Sequence, residues 1–458
     1  LHIRCIKAQR YNRFLRIMFN LSVKIKPVEP RRNFIKKAGA MAGVFAGYGF
    51  FNQLQAARFK AAAAITSDNP IIAASDEDYW QVIQQAYTVP SNFINLNNGG
   101  VSPSPSVVQQ AVERYNQLSN QGPSYFMWRI LDQGREPLRQ KLAMLAGCSP
   151  EEIAVNRNAT EALNTVIFGL NLQKGDEVIG TKQDYPNMIQ AWRQRALRDG
   201  IVYNQISFDF PIEDDETIVK AFEQAITPKT KILHITHIIN WVGQILPVKK
   251  ICQMAHRKGL EVIVDGAHSF GLLDFAIPDL ECDYFGTSLH KFLSAPIGSG
   301  MLWIKKEHIA KIWPLVCNDK PQSPDIRKFE TLGTRSFPIE QGIGEAIAFH
   351  TAIGSKRKEE RIRYLKNYWA SRVQNIPGVQ LHTSLKPGYS CAICGVSIKG
   401  LTPAQLDQQL YNTYKIHTVG IVWENISCVR ITPHVYTRIA DLDVLVTAIE
   451  KIASGVKG

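Results

Sequence analysis

The segment Glu261–Asp265 constrains the fold more than any other feature of this sequence. Its central residues, Val-Ile-Val, are all apolar and β-branched, and a glycine follows the final aspartate. Strands that read as an unbroken apolar run are typical of parallel sheets with helices on both faces. Further predicted strands at 152–155, 176–180 and 231–235 alternate with predicted helices at 160–169, 188–198 and 248–258. This alternation predicts an α/β fold with a mostly parallel sheet.

The chain is long enough for more than one domain, since it has 458 residues, of which 45% are hydrophobic. We predict four segments. Residues 1–65 form a leader and linker, and residues 66–110 form an N-terminal segment that joins the small domain. Residues 111–345 form the large domain. Residues 346–458 form a smaller α+β domain, which a long helix introduces.

The net charge of +13 is concentrated near the N-terminus. Residues 1–60 contain 13 Lys and Arg residues and a single acid, Glu29. The rest of the chain has 40 basic and 39 acidic residues, so it is close to neutral. A nearly neutral body provides no electrostatic attraction for a polyanion, and nucleic acid binding is therefore not expected.

The N-terminal segment resembles an export signal of the twin-arginine type. Arg31 and Arg32 precede the apolar pair Phe34-Ile35 and two lysines, and a glycine-rich apolar run follows at 38–51. That run is too short and too rich in glycine for a stable membrane-spanning helix. We therefore expect export to the periplasm, with a cytoplasmic location as the alternative if the leader is not functional.

Cys391 and Cys394 form a CxxC pattern without a second pair nearby, so a zinc site has little support. His234 and His237 have no third ligand at the spacing that a metal requires. We expect no metal. The two cysteines are expected to be structural and partly buried, next to a strand at 395–398.

Asp265 and Lys291 are the two residues that point to chemistry. Asp265 ends a buried strand, which is where open α/β sheets bind their ligands. Lys291 follows at a spacing of 26 residues, in the stretch Ser288-Leu289-His290-Lys291. A lysine that forms a Schiff base must lose its proton, which burial or a neighbouring cation favours. An aspartate opposite a pyridine nitrogen keeps that nitrogen protonated.

In this order and spacing, the two residues resemble the class V branch of the fold-type I pyridoxal 5′-phosphate (PLP) enzymes. The resemblance covers residues 90–440 and is closest to the isopenicillin-N epimerase-like group, with cysteine desulfurases as more distant relatives. It implies a seven-stranded, mostly parallel sheet in the large domain, PLP as the cofactor and an amino acid as the substrate. It also implies a reaction at Cα through an external aldimine, with Lys291 as the general base.

The resemblance gives a role to each residue that it matches around the cofactor. Lys291 matches the Schiff-base lysine, and Asp265 matches the partner of the pyridinium nitrogen. His268 and Asn240 match groups near the phenolic oxygen, and His268 is also expected to be catalytic. Tyr185 falls where the family stacks a ring on the cofactor. The residues expected around the phosphate are Ala159, Thr160, Ser288 and His290.

Further residues are matched to the substrate and to the neighbouring subunit. Arg430 matches the arginine that binds the α-carboxylate, and its forked guanidinium suits a carboxylate. Asn98 and Gly99 resemble the family's N-terminal substrate loop. Thr334, after Gly333, resembles a segment that reaches the phosphate of the neighbouring subunit, which implies a homodimer.

The sequence departs from the cysteine desulfurases at one position. These enzymes need a cysteine on a mobile loop shortly before the carboxylate-binding arginine, and the stretch 418–425 contains none. Cys428 is only two residues before Arg430 and is expected to lie on the strand itself. We therefore expect a reaction of the aminotransferase or epimerase type. Two alternatives stay open: a cysteine lyase or desulfhydrase, and a catalytically silent binding protein with the same fold.

Overall fold

A computed structural model describes residues 66–455 of the chain. The predicted leader at 1–65 lies outside these residues, and so do residues 456–458. The boundaries expected near 110 and 345 stay predictions. Within 66–455, no helix is both long and apolar enough to cross a membrane.

The described residues contain thirteen strands and eleven helices of eight residues or more. The strands are β1 (Ile94–Asn95), β2 (Ile153–Asn156), β3 (Glu177–Thr181), β4 (Val202–Ile206), β5 (Thr230–Thr236), β6 (Glu261–Asp265), β7 (Tyr284–Ser288), β8 (Gly300–Ile304), β9 (Val379–Leu381), β10 (Cys394–Ile398), β11 (Ile416–His417), β12 (Val419–Trp423) and β13 (Ile426–Ile431). The helices are α1 (Glu77–Gln84), α2 (Ser106–Asn120), α3 (Arg135–Ala146), α4 (Ala159–Gly169), α5 (Pro186–Asp199), α6 (Asp215–Ala225), α7 (Val248–Arg257), α8 (Phe337–Ile353), α9 (Ser355–Val373), α10 (Pro403–Tyr414) and α11 (Ile439–Gly455).

Seven strands form the central sheet, in the order β2-β8-β7-β6-β5-β3-β4. Only β8 runs antiparallel to its two neighbours, so the other six strands are parallel to one another. The prediction of an α/β fold with a mostly parallel sheet is confirmed.

α4 illustrates how the helices cover this sheet. It packs against β7 and β8, and its residues Ala162, Leu163 and Val166 are fully buried. Gly286 of β7 allows the close approach, because a Cβ at that position would lie 2.6 Å from Cγ of Leu163. Full burial of a Leu or Val side chain stabilises the fold by roughly 1.5–3 kcal/mol.

A second sheet contains four antiparallel strands in the order β12-β13-β10-β9. Helices α9, α10 and α11 pack on it through an apolar core that includes Trp369, Leu410 and Leu445. β1 pairs in parallel with β11, and Ile94 lies opposite Ile416. The N-terminal segment is therefore attached to the C-terminal part of the chain.

Two expectations for the C-terminal part change in detail. The long helix expected after residue 345 begins earlier, at Phe337, and Gly354 divides it into α8 and α9. The φ of Gly354 is 92°, a value that residues with a Cβ rarely adopt. Cys391 and Cys394 are free and fully buried, so their burial is more complete than the partial burial expected.

Glu330 connects β2 to α3 through a buried ion pair. Its two oxygens accept hydrogen bonds from Nη1 and Nη2 of Arg139, both at 2.8 Å, and Oε1 also accepts the amide N–H of Val155 at 2.7 Å. Both charged side chains are almost completely buried. Removing one partner of such a pair is strongly destabilising, because the other is left as an unpaired charge in a poorly polarisable medium.

We expect Glu330→Gln to lower the free energy of unfolding by about 3 kcal/mol, because the buried Arg139 would keep its charge with only the exposed Glu136, at 3.1 Å, as a counter-ion. Chemical denaturation of the purified protein measures the change. The matched control is Glu151→Gln, whose carboxylate pairs with Arg327 at 2.8 Å in an exposed position. Exposed pairs contribute less than about 1 kcal/mol, so equal losses in the two variants would contradict this account.

Candidate active site

The carboxyl ends of the parallel strands meet at one edge of the central sheet. Thr236 at the end of β5 lies opposite Asp265 at the end of β6, and Asp265 lies opposite Gly286 of β7. The loops after β2, β3, β5, β6 and β7 therefore open on the same side, where α/β sheets bind ligands. A cavity of about 400 Å³ lies there. The predicted site residues that line it are Gly99, Ala159, Thr160, Tyr185, Asn240, Asp265, His268, Ser288, His290, Lys291 and Arg430.

Lys291 lies in the turn after β7, and its Nζ is 3.2 Å from Nε2 of His268. Burial lowers the pKa of the Lys291 amine to about 8, although Asp265 opposes this shift and Arg430 adds to it. A larger fraction of the amine is therefore neutral at pH 7 than for an exposed lysine. A neutral amine is the form that attacks a carbonyl group.

His268 connects Lys291 to the loop that contains Gly99. Its Nε2 lies 2.9 Å from the carbonyl oxygen of Gly99. Burial, with a smaller contribution from Lys291, lowers the pKa of His268 well below its usual range, so the imidazole is neutral. A neutral imidazole carries one N–H. Its Nε2 therefore either donates to the Gly99 carbonyl or accepts from the Lys291 amine, depending on where the proton resides.

Asp265 is buried, and its Oδ1 accepts a hydrogen bond from the amide N–H of Ala267 at 2.9 Å. Burial raises the pKa of this carboxyl group, and the hydrogen bond from Ala267 and the charge of Lys291 oppose the shift. A cation placed against the carboxyl group would favour its charged form. This is the environment that a protonated pyridine nitrogen requires.

The start of α4 forms another wall of the cavity. Asn158 caps the helix, since its Oδ1 accepts the amide N–H of Glu161 at 2.9 Å. The amide N–H of Ala159 donates to Oγ of Ser288 at 3.0 Å, and Thr160 also lines the cavity. Backbone N–H groups at a helix N-terminus, together with hydroxyl groups, suit a phosphate dianion.

His290 lies next to this wall. Its Nδ1 is 3.0 Å from the carbonyl oxygen of Ser299. A carbonyl oxygen only accepts, so Nδ1 donates and Nε2 stays available for a second partner. Burial lowers the pKa of His290, and a nearby phosphate would favour the protonated ring.

Arg430 of β13 is held by two hydrogen bonds. Nη1 donates to the carbonyl oxygen of Asn240 at 2.9 Å, and Nη2 donates to Oδ1 of Asn97 at 3.0 Å. Its Nε is buried and has no hydrogen-bond partner within residues 66–455. Burial lowers the pKa of Arg430 to about 10, so the group is charged at pH 7. A Cβ at Gly99 would lie 3.5 Å from Cζ of Arg430, and glycine there leaves room for a carboxylate.

Two predicted residues do not line the cavity. The side chain of Asn98 is buried behind the loop, where Nδ2 donates to the carbonyl oxygen of Thr432 at 2.9 Å and Oδ1 accepts from the hydroxyl of Tyr436 at 2.6 Å. Asn98 therefore supports the loop and does not present its amide to a substrate. Thr334 is exposed. Its contact with a neighbouring subunit, and with it the homodimer, stays a prediction.

The lining also includes residues that sequence reasoning did not identify. The alternation of apolar residues along the strand before Arg430 is the signal that would have indicated Val419 and Ile421. Trp241 directly follows Asn240. The other additional residues are Gly100, Val101, Asn158, Leu163, Met188, Thr236 and Ala267.

The cavity has the groups that PLP requires. Asn240 Oδ1 is buried without a hydrogen-bond partner in the described part of the chain, and it suits a phenolic oxygen that carries a proton. The start of α4 suits the phosphate, and Asp265 suits the ring nitrogen. The amine of lowered pKa suits the aldehyde. Each polar group of PLP therefore finds a chemically matched residue.

Comparisons with known proteins agree with this geometry. The model of the class-V aminotransferase family matches residues 94–439. The chain is 26% identical over 393 residues to the isopenicillin N epimerase of Amycolatopsis lactamdurans, a match that covers 82% of this chain and 98% of that protein. It is 31% identical over 311 residues to a probable cysteine desulfurase of Halalkalibacterium halodurans, which covers 64% of this chain and 75% of that protein.

Solved structures share the fold. The apo structure of a cysteine desulfurase from Thermococcus onnurineus gives a TM-score of 0.73 at 20% identity and covers 82% of this chain and 98% of that one. The complex of the cystine C–S lyase C-DES with its product, cysteine persulfide, gives a TM-score of 0.71 at 22% identity, with coverage of 79% and 98%. The chain has the fold of the fold-type I PLP enzymes, and it belongs to the class-V aminotransferase family.

Proposed function

We propose that this protein is a PLP-dependent enzyme that removes the α-proton of a free amino acid, in a reaction of the epimerase or aminotransferase type. One observation carries the proposal: a single cavity contains an amine of lowered pKa, Lys291, and a buried guanidinium, Arg430, whose Nε is unpartnered within the described residues. Lys291 suits proton exchange at Cα, and Arg430 suits the carboxylate next to it. The match to the Amycolatopsis epimerase supports the same reaction class.

Pyridoxal 5′-phosphate is the cofactor. Lys291 would hold it covalently, Asp265 would face the ring nitrogen, and the start of α4 would bind the phosphate. Tyr185 would cover the ring, and His268 and Asn240 would lie near the phenolic oxygen. When bound, PLP supplies an electron-accepting ring that stabilises negative charge at Cα.

Arg430 orients the substrate. The carbonyl oxygen of Asn240 and Oδ1 of Asn97 each accept one of its N–H groups, so the plane of the guanidinium is fixed before a substrate arrives. Nε–H and the remaining N–H groups are left for a carboxylate, which suits paired contacts. Fixing the carboxylate limits which bond of Cα faces Lys291, and this geometry contributes to the rate.

Lys291 moves the proton, and His268 holds the amine in place. Once a substrate has displaced it from the cofactor, the neutral Lys291 amine would accept the α-proton and become an ammonium group, which keeps the proton and donates a hydrogen bond to the neutral imidazole 3.2 Å away, because the pKa of His268 lies well below that of Lys291. Returning the proton to the same carbon would complete an exchange. The return of a proton from the opposite side would invert the centre. Delivery of the proton to another atom, followed by hydrolysis that leaves the amino group with the cofactor, would release a keto acid.

Sulfur transfer to this chain's own thiols has little support. No cysteine is among the described residues that line the cavity. Cys428 lies on β13 as expected, is fully buried, and burial raises its pKa to about 12. A Cβ at Gly395 would lie 2.8 Å from the Cys428 Sγ, so the thiol packs against β10. A persulfide on Cys428 would need a large rearrangement of the small sheet.

Cleavage of a C–S bond without a protein thiol is the second candidate. The observation that favours it is the likeness to C-DES, which is described as a cystine C–S lyase and was captured with cysteine persulfide. Such a reaction also begins with loss of the α-proton, so the same residues would serve it. A silent binding protein is a third candidate, although a buried amine and a fixed guanidinium in one cavity have no evident use in it.

Lys291→Ala is expected to abolish both the long-wavelength absorbance of covalently held cofactor and all turnover, because no other cavity-lining residue that the structure describes has an amine. Absorbance spectra and activity assays measure this. In the wild type, borohydride followed by proteolysis should leave the cofactor on the Lys291 peptide. Lys305→Ala, which removes an exposed partner of Glu307, is the control and should keep both properties. A Lys291→Ala protein that retained them would contradict the assignment.

Uptake of PLP by the apoprotein should accelerate as the pH rises and level off above about 8, where the Lys291 amine becomes neutral. An unperturbed lysine would place this rise near 10.5. Arg430→Gln removes a cation that lowers the Lys291 pKa, so its midpoint should move to higher pH. Stopped-flow absorbance measures both profiles. A wild-type midpoint near 10.5, or no upward movement in Arg430→Gln, would contradict the electrostatic account.

The proposed function is tested by incubating the holoenzyme with a panel of amino acids in D₂O. We expect loss of the α-hydrogen signal by NMR for at least one amino acid, together with its enantiomer or its keto acid. Sulfide or persulfide released from cysteine or cystine alone would favour the C–S lyase instead. Spectral changes without any product would favour a binding protein.

A further inference from the structure

We infer that the substrate carries an uncharged, apolar side chain and that the β12–β13 hairpin selects it. The inference rests on the proposed function and concerns the same cavity. Two independent features of the molecule lead to it: the face that β12 turns towards the cavity, and the distribution of charge around the cavity.

β12 presents an apolar face to the cavity. Val419 and Ile421 line it. Trp423, two residues further along, stacks on Trp241 with a ring separation of 5.5 Å and an interplanar angle of 25°, and Trp241 also lines the cavity. Val422, between them, is 76% exposed. This is the alternation expected of a strand with one buried face, and it forms a continuous apolar wall.

Polar contacts anchor this wall to the loop after β3. Nε1 of Trp423 donates to the carbonyl oxygen of Lys182 at 2.8 Å, and Nε1 of Trp241 donates to the carbonyl oxygen of Gln183 at 2.9 Å. At the hairpin turn, Oδ1 of Asn425 accepts from Nε2 of Gln183 at 2.8 Å. Both indole N–H groups are satisfied, so the wall cannot move away from a charged side chain without breaking hydrogen bonds.

Each charged group that lines the cavity already has a role other than binding the substrate side chain. Among the lining residues that the structure describes, the basic ones are Arg430, Lys291, His268 and His290, and the acid is Asp265. Arg430 serves the α-carboxylate, the next two serve the cofactor and the proton, and His290 lies at the phosphate end. Among these lining residues, a second substrate carboxylate would therefore meet no further cation, and a side-chain ammonium would meet only an aspartate that faces the ring nitrogen.

An unpaired charge against an apolar wall loses its hydration without compensation, whereas an apolar side chain gains from leaving water. Amino acids such as norleucine, methionine and leucine match the wall. Glutamate and lysine have similar lengths and do not match it.

The test measures α-hydrogen exchange by the holoenzyme in D₂O with amino acids of matched length, norleucine against lysine and methionine against glutamate. We expect kcat/KM to be at least about tenfold higher for the apolar member of each pair. A preference for lysine or glutamate would overturn the inference. Absence of exchange with every amino acid would contradict the proposed function instead.

Variants of β12 locate the selection. Ile421→Arg places a cation on the wall and should reduce the ratio of methionine to glutamate kcat/KM by at least about tenfold. Val419→Lys makes the same change at a second position if the first variant does not fold. Val422→Arg is the matched control, since it adds the same charge to the exposed face of the strand. Equal effects of Ile421→Arg and Val422→Arg, or no effect of either cavity variant, would show that the hairpin does not select.

Binding of carboxylates that lack an amino group tests the selection without turnover. Hexanoate and glutarate can both reach Arg430, and neither can react. Calorimetry with the holoenzyme should show binding of hexanoate that is at least about tenfold tighter than that of glutarate. Equal binding, or tighter binding of glutarate, would overturn the inference even if no amino acid were turned over.

Discussion

The register of β5, β6 and β7 is the constraint on which the site depends. These strands lie at the centre of the sheet, and helices cover both of its faces. A shift of one residue would turn every side chain to the opposite face and disrupt close packing such as that of Gly286 against Leu163, so packing fixes the register. Because the register is fixed, the polar residues that follow each strand appear at one edge. Asp265 ends β6 there, and Lys291 lies three residues beyond the end of β7.

Burial then acts on the two central groups in opposite directions. It raises the pKa of Asp265 and lowers the pKa of Lys291, so each group moves towards its neutral form. Asp265 and Lys291 do not serve as counter-ions for each other. Each is matched to a group on the cofactor, the ring nitrogen in one case and the aldehyde carbon in the other. Bound PLP would therefore supply the cationic ring nitrogen next to Asp265 and the aldehyde next to Lys291.

Local signals explain what the sequence could predict. The β-branched run of β6 and the start of α4 each depend on neighbouring residues, and both lie where expected. β4 was not expected, because it is a half-exposed edge strand with polar residues such as Asn204 and Gln205. The spacing of Asp265 and Lys291 indicated the cofactor because Asp265 ends β6 and Lys291 lies in the turn after the adjacent strand, β7.

Contacts between distant parts of the chain explain what the sequence could not predict. The direction of the Asn98 side chain depends on Thr432 and Tyr436, and the fixed plane of Arg430 depends on Asn97. The apolar wall depends on Trp241, in the loop after β5, and on Trp423, at the end of β12. No pattern within either segment encodes these pairings.

The separation of these residues along the sequence also determines the order in which parts of the site can form during synthesis. Asn97 and Arg430, which together define the carboxylate site, are 333 residues apart, and β1 finds its partner only in β11. All seven strands of the central sheet, in contrast, come from 153–304. On the ribosome, the cofactor-binding edge can therefore take shape while the carboxylate site still lacks half of its residues. The residues that hold the α-carboxylate therefore come together only when synthesis is nearly finished.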